Sequence, residues 1–81
     1  MSLILTNEVA SALYRSLMEV NNLDSSRFET TFKTRINESF EVTPVTFKYV
    51  EHFGIRIDAD AGPVEYYKTQ HDFAVAYGFA S

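Results

Sequence analysis

The two histidines, His52 and His71, each stand beside a carboxylate: Glu51 precedes the first and Asp72 follows the second. Together with Glu65 these are the groups from which a metal site or an acid–base pair would have to be built. Their spacing does not support one, since a metal pair wants two histidines at helical spacing or a local triplet. The His71-Asp72 dipeptide alone does not make a phosphohydrolase site. A mild pH response near the ordinary imidazole value of about 6.5 is the functional use left to them. Asp58-Ala59-Asp60-Ala61-Gly62 opens like a calcium loop, which needs glycine at its sixth place and glutamate at its twelfth. Here the glycine comes one place early and Thr69 stands twelfth, so the stretch reads as a turn. Glu38 and Glu41 could act as acid and base, but in so small a domain they read as solvent-facing. There is no nucleophile elbow and no phosphate-cradling loop, and the three glycines lie far apart. With no cysteine there is no disulfide, thiolate zinc site, iron–sulfur cluster or cysteine nucleophile. The expectation is a protein that is not an enzyme and carries no cofactor and no metal.

The aromatic residues are the other chemistry. Tyr66 and Tyr67 are adjacent, so on a strand they point to opposite faces, one into the core and one outward. Tyr49, Tyr66, Tyr67 and Tyr77 are of the type enriched at binding hot spots. The alternative is that such rings cover core edges with the hydroxyl in water, and both readings stand open.

The elements that must position these groups come from 81 residues, a single small globular domain spanning 1–81. Hydrophobic residues make up 46% of the chain and aromatic ones 15%, enough large rings for a compact core. Neither a signal peptide nor a run near the length of a membrane span is visible, so a soluble cytoplasmic protein without membrane attachment is expected. The net charge of −4 disfavours nucleic acid as a partner, because binders of nucleic acid carry a strong basic footprint.

Residues 7–21 read as a helix capped by Thr6 or Asn7, with Val9, Leu13, Leu17 and Val20 on one stripe. Residues 27–41 are ambiguous. With period two, Phe28, Thr30, Phe32, Thr34 and Ile36 face one way and Arg27, Glu29, Thr31, Lys33, Arg35 and Asn37 the other, as in a half-buried strand. With helical period, Phe28, Phe32, Ile36 and Phe40 form a stripe, and Ser26 with Glu29 matches a capping box. The spacing predicts a helix over 44–53: Thr43 caps, Pro44 takes the first helical position and Gly54 ends it. Ile55-Arg56-Ile57 then reads as a short strand, 58–63 as a turn and 64–68 as its hairpin partner. Gln70-His71-Asp72 reads as a break, and Phe73, Val75, Tyr77 and Phe79 alternate with small residues like a last strand. A rival helix from Pro63 through Tyr77 ranks second because of Thr69 and Gly78.

Residues 29–53 resemble a helix-turn-helix segment, with Ile36, Phe40, Val42, Phe47 and Val50 at its apolar places and Val42 to Phe47 as the entry to a recognition helix. With the first helix and the hairpin, the resemblance implies a winged-helix-like arrangement and a DNA-binding transcription regulator. It turns Val45, Thr46, Lys48, Tyr49 and His52 outward toward a groove. The chain departs from that pattern at Asn37, where a small residue is usual, and at Glu41, where glycine is.

The expected fold is therefore α+β: an N-terminal helix, a helix at 44–53 and a small antiparallel sheet in the C-terminal half. The leading functional expectation is a non-enzymatic protein-binding or regulatory module. A winged helix-turn-helix regulator is the first alternative. A structural subunit of a larger, even viral, assembly is the second, with self-association into a homo-oligomer open. Val45, Thr46, Lys48, Tyr49, His52, Tyr66 and Tyr67 are the candidate interaction residues.

Overall fold

A computed structural model describes residues 3–22, 27–35, 42–60 and 62–81. Helix α1 spans Asn7–Asn22 and is followed by four strands, β1 Arg27–Arg35, β2 Val42–Val50, β3 Gly54–Ala59 and β4 Val64–Tyr67. Helix α2, Gln70–Ala76, closes the chain. The strands form one antiparallel meander in the order β1-β2-β3-β4, so the α+β expectation stands.

The N-terminal helix falls where its pattern placed it. The Thr6 hydroxyl accepts from the Val9 N–H at 3.3 Å, and the Thr6 carbonyl accepts the first helical bond from Ala10. Ala10, Leu13 and Leu17 point into the core, with Val9 and Tyr14 packed at its rim. The ambiguity at 27–41 resolves as strand for Arg27–Arg35, with Phe28, Thr30, Phe32 and Thr34 half-buried and the intervening residues exposed. Ser26, Ile36, Asn37, Phe40 and Glu41 lie outside the described residues.

The helix expected over 44–53 is instead strand β2 and the turn after it. The period there is two: Val45, Phe47 and Tyr49 are buried while Thr46, Lys48 and Val50 take the other face. A nine-residue run rich in Val, Thr, Phe and Tyr fits a pleated surface better than a helix. Pro44 is accommodated because it sits opposite Asp60, just past the end of β3. Its carbonyl accepts from the Asp60 N–H at 2.9 Å, and no ladder bond is asked of its nitrogen. The helices that the helix-turn-helix resemblance implies over 29–53 are thus strands β1 and β2 among the described residues. The sheet is also larger than expected, running from residue 27 to residue 67 rather than lying in the C-terminal half.

Gly54 does not stop a helix. It opens β3 at φ 113, and a Cβ there would lie 2.5 Å from the Tyr67 carbonyl oxygen. The turn before it is closed by the Phe53 N–H on the Val50 carbonyl at 3.0 Å, with His52 at φ 71 in the place where a type II turn needs a positive value.

The strand expected over 73–79 is also corrected. Thr69 is a true N-cap, its hydroxyl accepting from the Asp72 N–H at 3.0 Å. At the other end Gly78, at φ 83, and Phe79 donate back to Val75 and Ala74 in the paired bonds of a Schellman motif. Phe73, Ala74 and Tyr77 then share the buried face at helical spacing. The Phe73 ring is the centre of the core, with the rings of Phe47, Tyr67 and Tyr77 5.7, 5.7 and 5.0 Å away.

Candidate interaction surface

Both helices and the N-terminal segment pack on one face of the sheet, so the alternation of every strand assigns its residues to a covered or an uncovered face. The uncovered face is read row by row from the register. Glu29, Lys48, Arg56 and Tyr66 form one row across all four strands; Thr31, Thr46, Asp58 and Val64 form the next. Arg27 lies above them beside Val50, and Lys33 and Arg35 lie below, opposite Pro44 and Val42. Asp60 joins the lower edge, where it shares a depression with Pro44, Thr46 and Asp58. The Thr31 and Thr46 hydroxyls, 3.1 Å apart, tie β1 to β2 on this side.

Charge is unevenly divided. Among the described residues, five of the seven basic ones (Arg27, Lys33, Arg35, Lys48 and Arg56) occupy the uncovered face, against three of the eight acidic ones (Glu29, Asp58 and Asp60). The described residues of the face thus carry a surplus of two positive charges, in a chain of net −4. Arg56 is drawn to Asp58 at 3.2 Å, and Arg27 stands 3.7 Å from Glu29. Such exposed pairs hold little energy.

The expected interaction residues divide between the two faces. Thr46, Lys48 and Tyr66 lie together on the uncovered face, Tyr66 at 62% exposure with its hydroxyl on the Phe53 carbonyl. Val45 and Tyr49 are buried on the covered face, at 0% and 7% exposure. Burial, and then the charge of Glu51, push the Tyr49 phenol up from its ordinary range. Tyr67 also turns inward, as the Tyr66-Tyr67 alternation requires. His52 is exposed in the β2–β3 turn and His71 in the first turn of α2. Arg27, Lys33, Arg35 and Arg56 were not among the expected contacts. Their signal was the alternation of β1 and β3, which acquires meaning only once β2 is a strand between them.

A second polar cluster lies on the covered side. One Glu65 carboxylate oxygen accepts from the Ile4 N–H at 2.9 Å, and the other accepts from the Tyr77 and Tyr67 hydroxyls at 2.6 and 3.0 Å. The Tyr77 oxygen in turn accepts from the Leu5 N–H at 3.2 Å. Burial and the neighbouring Glu65 push the Tyr67 phenol up to about 12 and the Tyr77 phenol further still. This is a structural knot, since each of its groups is already satisfied by another element of the fold.

An open depression of about 490 Å³ lies where the β2–β3 turn meets the start of α2, lined by Tyr49, Glu51, His52, Gly54, Lys68, Thr69 and Gln70. Its Thr69 hydroxyl is engaged in capping α2. No group of three metal-ligating side chains occurs among the described residues. No helix among them is long and apolar enough to cross a membrane. Comparison with protein-family models, curated proteins and solved structures finds no match.

Proposed function

We propose that this chain is a non-enzymatic, protein-binding module whose recognition surface is the uncovered face of the sheet, and that its partner presents carboxylates. The observation that carries this reading is the segregation of charge. A solvated sheet face in a chain of net −4 has no need to collect five of the seven cations. A rigid sheet presents those side chains at fixed spacing, which lowers the ordering cost of binding. Electrostatic complementarity of this kind favours fast, salt-sensitive association with an acidic surface. A protein fits better than a single-stranded nucleic acid, which is held by several stacked rings on the binding face. Tyr66 is the one aromatic side chain that the strands place there.

The test is amide-shift mapping at low salt with a glutamate-rich peptide and, separately, an oligodeoxynucleotide of equal charge. Shifts at Lys33, Thr46, Lys48 and Arg56 with the peptide, lost in a Lys33→Glu, Lys48→Glu double variant, are expected. No response to the peptide, or a tighter response to the oligonucleotide, overturns the reading.

A further inference from the structure

The two edges of the sheet differ. β4 has four residues, and the N-terminal segment lies beside it, Leu3 and Ile4 lining a depression with Pro63, Val64 and Tyr66. β1 has nine residues, and no described strand lies beyond it. The direction of its backbone groups follows from Pro44. The Pro44 carbonyl points to the β3 side, where it accepts from Asp60. Alternation turns the backbone of Val45 to β1, so Phe32, its partner, directs its own N–H and C=O into the sheet. Glu29, Thr31, Lys33 and Arg35 therefore aim theirs outward, as a ready template for another strand.

We propose that β1 pairs antiparallel with β1 of a second copy, in the register centred on Phe32, to form a continuous eight-stranded sheet. A two-fold axis perpendicular to the sheet keeps both helix layers on one side, which requires residues of like facing to stand opposite each other. Every register centred on a residue meets that requirement, so length and charge separate them: centres outside Glu29 to Lys33 pair at most three described residues of β1. Centring on Thr30 sets Arg27 against Lys33, centring on Thr31 sets Arg27 against Arg35, and centring on Glu29 or Lys33 sets each against itself. Centring on Phe32 sets both copies of Glu29 against Arg35 and opposes no like charges among the described residues. It also stacks the two half-buried Phe32 rings across a non-hydrogen-bonded pair, where side chains approach closest. Thr31 and Lys33 then exchange backbone bonds across the axis. The pairing is independent of the acidic partner proposed above, and it extends the uncovered face across both copies.

Sedimentation equilibrium over a concentration series up to about 1 mM, a range that covers weak association, measures the dimer. Glu29→Arg and Arg35→Glu each oppose like charges twice per dimer and should weaken it about tenfold or more. The double swap, Glu29→Arg with Arg35→Glu, should restore it. Thr31→Pro removes an outward N–H while leaving the β1–β2 backbone ladder intact, with the loss only of the exposed Thr31–Thr46 hydroxyl bond, and should abolish the dimer with the circular-dichroism spectrum unchanged. A protein that stays monomeric throughout, a dimer indifferent to these changes, or one that the double swap fails to restore overturns the proposal.

Discussion

Two residues in the β2–β3 connection hold conformations that their neighbours impose. His52 occupies the left-handed region without being glycine, a placement that costs of order 1 kcal/mol. His52→Gly should therefore raise stability by a few tenths to about 1 kcal/mol, read as a higher urea midpoint. Gly54 is the opposite case. Its φ of 113 and the 2.5 Å approach of the Tyr67 carbonyl to a would-be Cβ leave no room for alanine. Because that carbonyl belongs to β4, next to the β3–β4 ladder, relief requires the sheet to move. Gly54→Ala should cost about 2–4 kcal/mol in chemical denaturation; a loss below 1 would mean that the strand end yields freely. At this scale the sequence was partly legible. Gly54 stood out as a residue chosen for positive φ, but its purpose was a strand end. The strain at His52 has no sequence signature, since nothing in a histidine announces a left-handed backbone.

At the scale of elements, the same local signals meant different things in two places. Thr43, Pro44 and Gly54 mimic the start and stop of a helix, and Thr69 and Gly78 truly are a start and stop. Capping residues are permissive: threonine suits strands, proline suits a strand end, and glycine suits any tight connection. What decides is the periodicity between them. From Val45 to Tyr49 the buried positions alternate, whereas Phe73, Ala74 and Tyr77 bury at helical intervals. The uncovered face was correspondingly half legible. The outward row of β1 was readable as an alternation, but its union with Lys48 and Arg56 depended on β2 being extended. Val45 and Tyr49 were expected outward because a helix would turn them there, and the strand period turns them in. Thr69→Ala should cost about 1 kcal/mol by losing the bond to Asp72. Gly78→Ala should cost about the same through the left-handed penalty alone, because nothing lies within 4 Å of its would-be Cβ. Both are checked by thermal denaturation. Equal, near-zero effects would show that tertiary packing of Phe73 holds this seven-residue helix without its caps.

The whole molecule is closed by the knot at Glu65, which joins the N-terminal segment, β4 and the end of α2 across more than sixty residues of sequence. That closure has an alkaline limit. The phenols of Tyr67 and Tyr77 are both held above the ordinary value of 10.0, first by burial and then by the adjacent carboxylate. Below pH 10 both are protonated in the folded and unfolded chain, and their contribution is fully present. Above it the unfolded chain releases its protons first, while Tyr67 keeps its own until about pH 12 and Tyr77 beyond that. Unfolding is therefore drawn forward as pH rises, by up to about one proton per buried phenol. The urea midpoint should fall steadily from pH 10 to 12, and the fall should be shallower in Tyr77→Phe. That variant also starts lower at neutral pH by about 1–2 kcal/mol, since Leu5 and Glu65 lose a hydroxyl between them. An equal slope in Tyr77→Phe and the unaltered chain would place the alkaline weakness outside this knot.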